Sequence, residues 1–152
     1  MIWSHDQYTL DDDRSRIEMA RVVAGLRTTY WAKDRPAKVI ELAWRNSVLV
    51  FGLYQDNELI GFARVISDLA IVAYLADVFI FPEHRGKGLG EWMCGTIVSH
   101  PDLATVRWLL NTRDMHDLYR KIGFTEPDNS VMMRMKNGQV SSVPNVDGSS
   151  TA

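Results

Sequence analysis

The sequence predicts a mixed α/β domain built on one sheet. Three observations predict it. The 152-residue chain is 46% hydrophobic and 24% charged, which gives it enough apolar surface for a sizeable core. Its apolar pattern switches between helical spacing and strand-like runs. The runs follow the order two helices, a three-strand meander, then strand–helix–strand–helix–strand, an order suited to helices packed on a single sheet.

Each element has its own signal. Residues 12–27 (DDRSRIEMARVVAGLR) carry acids ahead of Ile17, Ala20, Val23 and Ala24, a helical spacing with the acids at the positive end of the dipole. TTYWAKDRP is a loop, because the residue before a proline avoids the helical region. Pro36 then opens a second helix, PAKVIELAWRN. SVLVFGLY and LIGFARVI are hairpin strands about the turn QDNE, and IVAYLADVFIF is a third strand after SDLA. GLGEWMCGTIVS is a helix that stops at His100-Pro101. ATVRWLLN is a strand, DMHDLYRKIGF a helix capped by Gly123, and VMMRMK a final strand. Residues 137–152 are rich in Ser, Gly and Asn and are expected to form a disordered tail, leaving one domain over 1–136.

Composition excludes several classes. A net charge of −2, without a long basic run, gives no general attraction to nucleic acid. No apolar run approaches bilayer length. The first residues, MIWSHDQYTLDDD, lack the basic and apolar regions of a signal peptide. Cys94 is the only cysteine, so no internal disulfide forms, and it reads as a buried small residue in a helix. The expected location is cytoplasmic. The four histidines are scattered without metal-ligand spacing, and no metal is expected.

The stretch FIFPEHRGKGLGEWM, residues 79–93, carries the functional signal. Glycines let backbone N–H groups approach a ligand closely. The first N–H groups of a helix lack internal partners and lie at its positive end. A glycine loop opening a helix is therefore suited to phosphate, and Arg85 and Lys87 add charge. Two glycine motifs fail here. Lys87 is followed by Gly88, with no Ser or Thr placed for magnesium as a Walker loop requires, and Glu91 stands where a dinucleotide fingerprint needs its third glycine.

Arg85-Gly86-Lys87-Gly88-Leu89-Gly90 does fit the pattern Q/R-x-x-G-x-G/A, and LYRKIGF at 118–124 is similar to the LYEKLGF signature that accompanies it. By these motifs, and by element order over residues 5–135, the chain resembles the GCN5-related N-acetyltransferase (GNAT) superfamily. The resemblance implies a central, mostly antiparallel sheet splayed between strands 4 and 5 and flanked by about four helices. It also implies acetyl-CoA as co-substrate. The backbone of Arg85, Gly86, Lys87, Gly88, Leu89 and Gly90 would bind the CoA diphosphate. Val78, Phe79 and Ile80 would pair with the pantetheine arm, one of their amides polarising the thioester carbonyl. Asn111 or Thr112 would add a pantetheine hydrogen bond, in place of the family's asparagine.

Amine attack on a thioester needs a neutral amine, a donor for the carbonyl oxygen and a proton for the leaving sulfur. Tyr119 stands where the family places its general-acid tyrosine. Asp77 lies mid-strand among apolar neighbours in YLADVFIF, where a carboxylate needs a partner or a task. It could hold the ammonium, relay its proton, or simply bond neighbouring backbone. The strand resembles the YLEDFFV type of spermidine/spermine acetyltransferases, but Ala76 replaces the first acid of the pair. Tyr30, Trp31, Arg64, Asp68 and Tyr74 are the expected acceptor contacts, aromatic rings with carboxylates being suited to a cationic amine. Arg64 facing the cleft would favour an acceptor bearing a carboxylate. The expected partner is a small-molecule amine, with a homodimer possible in such lookalikes. The alternatives are a protein or peptide acetyltransferase of the same fold, and a non-enzymatic acyl-CoA-binding module.

Overall fold

Every strand pairs with its neighbour in sequence, so the sheet order is β1-β2-β3-β4-β5-β6. The computed structural model describes residues 1–136; the tail expected over 137–152 lies outside the described residues. β1 (Ile2–His5) and β2 (Tyr8–Asp11) form a hairpin in which Asp6 takes a φ of 51°, the left-handed conformation that a two-residue turn demands. This hairpin carries no strong sequence signal, being short and largely polar. The helix expected over 12–27 is also corrected. A 3-10 turn at Arg14–Arg16 precedes α1 (Met19–Leu26). The acids serve the turn: buried Asp11 pairs with Arg16, and Asp13 accepts the Ser15 N–H at 2.9 Å.

After α1 come α2 (Ala37–Arg45), β3 (Leu49–Gln55), β4 (Glu58–Ser67), β5 (Val72–Ile80), α3 (Leu89–Val98), β6 (Arg107–Leu109) and α4 (His116–Lys121). Two apolar clusters lie on the two sides of the sheet. Leu10, Phe51, Leu53 and Val65 pack with Met93, Cys94 and Ile97 of α3, and Val50, Phe62 and Phe79 pack with Val22 and Leu26 of α1 and Ile40 of α2. The final strand expected over 131–136 is not formed. Among the described residues no strand pairs with that segment, and Met132 is 95% exposed, so its backbone has no described ladder to join.

Two irregularities in β5 create the site. Against β4, Phe62 pairs with Phe79 but Arg64 pairs with Ala76, so Asp77 and Val78 together oppose Ala63. This is a β-bulge, with Asp77 at a φ of 52°. The extra residue reverses the facing of the strand. Before it, Ala73 and Leu75 face α3; after it, Phe79 joins the α1–α2 cluster while Val78 and Ile80 pack on the α3 side. Against β6, β5 runs parallel and pairs only from Val72 to Tyr74. Past Tyr74, no strand among the described residues lies beside this edge. This is the splay implied between strands 4 and 5, which here are β5 and β6.

Candidate active site

A cavity of about 470 Å3 opens at this gap. One wall is Val78, Phe79 and Ile80 of β5; the others are the loop and first turns of α3, the start of α4 with Leu118 and Tyr119, and the α1–α2 loop from Thr28 to Trp31. Gly86 and Gly88 have φ values of 77° and 74°, conformations that glycine adopts without steric cost. Among the described residues, no acceptor meets the N–H groups of Gly86, Lys87, Gly88, Leu89, Gly90 or Glu91; the first amide to be satisfied is that of Trp92, which donates to Gly88 O at 3.1 Å. That row of free donors at a helix N-terminus is a cradle for a diphosphate. Arg85 is tethered rather than free, its Nε donating to Ile80 O at 2.8 Å. His84 borders the cavity, and its Nδ1 is buried without a partner among the described residues. Free amides, an unpaired strand edge and an orphaned buried nitrogen together fit an extended polar ligand with a phosphate end.

Tyr119 lies on α4, which ends in a Schellman closure: Gly123 N–H donates to Arg120 O and Phe124 N–H to Tyr119 O. The Phe124 ring then meets Tyr119 edge-on, with 5.8 Å between centroids. Burial raises the phenol's pKa, and the neighbouring Cys94 adds to the rise. The phenol therefore stays protonated throughout the neutral range and serves as a donor. Cys94 is fully buried at the cavity wall, and burial pushes its thiol up to about 12. It is no nucleophile at neutral pH.

Asp77 has several partners. Its carboxylate accepts from Arg64 Nε at 2.7 Å, from Arg35 Nη1 at 2.9 Å to each oxygen, and from Trp31 Nε1 at 3.2 Å. Burial works against the charge, but the hydrogen bonds and charges of Arg64 and Arg35 outweigh it, and the pKa falls below the ordinary 3.8. A carboxylate held this way is a poor base. It does tie the α1–α2 loop to the bulge. Arg64, which also donates to Ser47 Oγ at 3.3 Å, belongs to this cluster.

The structure brings Tyr30, Trp31, Val78, Phe79, Ile80, Arg85, Gly86, Gly88, Leu89, Gly90 and Tyr119 to one cavity. Lys87 is exposed outside its wall. Asp68 does not reach it. That side chain sits in the β4–β5 turn, accepting the N–H groups of Ile71, Ala70 and Val72, which pull its pKa down to about 2. Its carboxylate is spent on the turn. Thr112 is committed too, its Oγ1 accepting Met115 N–H at 3.0 Å before α4. Neither it nor Asn111 borders the cavity. Tyr74 is half-buried on β5, near the Asn111 backbone and the Asp77–Arg64 pair, and burial raises its phenol. Sequence reasoning gave no role in the cavity to Cys94, Thr28, Thr29 or Met115. Only their positions in space place them there, and no motif announces them.

Comparisons with known proteins agree with this geometry. A family model described as an acetyltransferase (GNAT) domain matches residues 46–126. The chain is 30% identical over 148 residues to a Gibberella zeae protein named as a candidate acetyltransferase, the match covering 82% of each. It is 39% identical to a Xanthomonas campestris protein of known structure, described as a candidate acetyltransferase of the GNAT family. The TM-score is 0.80, with 91% of this chain and 99% of that one covered. A GNAT family acetyltransferase of Elizabethkingia anophelis, solved with acetyl-CoA bound, has a TM-score of 0.63 over 88% of this chain and 92% of that one; at 15% identity it shows the fold alone.

Proposed function

This chain belongs to the GNAT acetyltransferase family, and from that premise we propose that it moves the acetyl group of acetyl-CoA to a primary amine of a small molecule by direct attack in a ternary complex. The observation that carries the reading is the single cavity bounded by the free amides of the Gly86–Gly90 loop, the unpaired edge of β5 and the Tyr119 hydroxyl.

The diphosphate of CoA lies on the loop amides, and the pantetheine arm follows the open edge of β5. One N–H of the Val78–Ile80 segment donates to the thioester oxygen as it gains charge. The neutral amine nitrogen bonds to the carbonyl carbon, and the carbon–sulfur bond breaks. The Tyr119 proton goes to the departing sulfur. The proton lost from the new ammonium returns the phenol to its neutral form by way of water. An alkyl amine has a pKa of about 10, so the neutral fraction at the site limits the rate. Asp77 acts by holding Trp31 and Arg35 against the bulge, not as the base.

The test is release of free CoA from acetyl-CoA in the presence of polyamines, amino acids, amino sugars and lysine peptides. Turnover with a small amine is the expected result. Turnover with lysine peptides alone would transfer the reading to a peptide acetyltransferase. Binding of acetyl-CoA with no acceptor raising CoA release would make the chain a binding module and overturn it.

A further inference from the structure

We propose that the acceptor amine also carries a carboxylate, as an amino acid does, and that Arg35 and Arg113 recognise it beside the Tyr30–Trp31 pair. This rests on the reading of the cavity as an acetyl-transfer site and narrows its substrate class.

The acceptor side is electrostatically unlike what its sequence promises. Asp68 and Asp77 are the acids the sequence places to hold a cationic amine, and neither is available; an acid that does border the cavity, Asp114, is exposed and lies beside Arg113. Asp68 is locked into its turn by three backbone N–H groups. Both Asp77 oxygens are taken by Arg35, Arg64 and Trp31. One carboxylate between two guanidiniums leaves the cluster with a surplus positive charge. Arg35 spends only Nη1 on Asp77; its Nε and Nη2 meet no acceptor among the described residues, and its side chain keeps 26% exposure.

A second guanidinium lies against the aromatic pair. Arg113 lies 3.6 Å from the Tyr30 ring centroid. Among the described residues its one carboxylate contact is Asp114, at 3.5 Å between two well-exposed side chains, a pairing worth little in water. Tyr30 and Trp31 meet edge to face at 5.1 Å and remain 46% and 42% exposed at the cavity wall. Arg35 reaches Trp31 through the shared Asp77, and Arg113 covers Tyr30. Neither guanidinium is part of the cavity wall; both lie at its rim beside the two half-exposed rings, an arrangement that suits a ligand with an apolar body in the cavity and a carboxylate at its mouth. The planar fork of arginine matches that group in two parallel hydrogen bonds. A polyamine would meet a rim on which Arg35, Arg64 and Arg113 outnumber Asp77 and Asp114.

Matched pairs that differ only by the carboxylate test this: 6-aminohexanoate against hexylamine, phenylalanine against phenethylamine, with spermidine as polycation. CoA release at saturating acetyl-CoA gives kcat/KM for each. The carboxylated member is expected to exceed its partner by about tenfold or more, the value of a charged hydrogen bond. In Arg113→Gln and Arg35→Gln that ratio is expected to fall toward one, through KM rather than kcat. Comparing ratios between native and variant chains cancels differences in amine basicity, and Arg113, 64% exposed, is replaceable without disturbing the core. A hexylamine or spermidine preference overturns this inference alone, as does a carboxylate preference that survives both substitutions. Bound acetyl-CoA with no amine of any kind turned over overturns the acetyl-transfer reading and this inference with it.

Discussion

Tyr119 and Asp77 show how environment decides what a titratable side chain can do. Burial raises the Tyr119 phenol and keeps it loaded with its proton. Tyr119→Phe is expected to lower kcat by about 100-fold, the usual share of a positioned acid, while the Kd for acetyl-CoA by calorimetry changes little. An unchanged kcat would remove Tyr119 from the mechanism. Asp77 is shifted the other way. Its folded pKa lies below 3.8 because of Arg64 and Arg35, so its stabilising contribution is complete above about pH 4 and is lost as pH falls through the folded value. Acid denaturation followed by circular dichroism is expected to show this loss in the native chain and a flatter response in Asp77→Asn. At neutral pH that variant should lose about 3 kcal/mol of stability, because two guanidiniums are left around an uncharged amide. Equal pH slopes in both chains would show that Asp77 does not titrate with folding.

At the scale of elements, glycine helps to set how closely helices lie on the sheet. A Cβ on Gly25 in α1 would come within 2.0 Å of the Phe79 ring, so α1 can lie against the bulged end of β5 only without one. In α3, a Cβ on Gly95 would meet Ile122 at an ordinary 3.6 Å. Two helical glycines thus give opposite expectations. Gly25→Ala should destabilise by about 1–3 kcal/mol through overpacking, and Gly95→Ala should be neutral or stabilise by up to about 1 kcal/mol through helix propensity. Urea midpoints at constant m-value measure both. The α1–α2 loop completes this level. Thr28 and Thr29 close α1 by donating to Gly25 O at 2.6 Å and Leu26 O at 2.7 Å. Trp31 and Arg35 then dock on Asp77, so one carboxylate joins the α1–α2 loop to the bulge of β5.

For the whole molecule, the site is a gap in a sheet. β5 is nine residues long but pairs with β6 over only three, and acetyl-CoA filling that gap would tie together β5, α3 and α4. Acetyl-CoA at a hundred times its Kd is expected to stabilise the fold by about 2.7 kcal/mol, a rise in Tm of roughly 5–10 °C for a chain of this size. Scanning fluorimetry against acetyl-CoA and against pantetheine alone would read it. A shift equal for both would deny the loop amides their part in binding the diphosphate.

The central hairpin, β5, α3 and α4 were legible because each has a local cause. These are apolar runs bounded by turn residues, glycines opening a helix, and Gly123 closing one at a φ of 98°. The Arg85–Gly90 loop and Tyr119 were legible for the same reason, since a motif is a local pattern with a backbone consequence. The β1–β2 hairpin was not, because its short strands are stable only when β2 finds β3. Nor were the fates of Asp77 and Asp68. The chain left Asp77 to hold an ammonium, relay its proton or bond backbone, and offered Asp68 as an acceptor contact; one is neutralised by arginines 13 and 42 positions away, the other consumed by its own turn. Sequence alone determined the order of elements from α1 to α4, the glycine loop that opens α3 and the place of Tyr119 on α4, since those depend on neighbours a few residues apart. Tertiary structure decided the bulge at Asp77, the company that carboxylate keeps and the sign of the charge around Tyr30 and Trp31, because charge and packing depend on distance in space and not on distance along the chain.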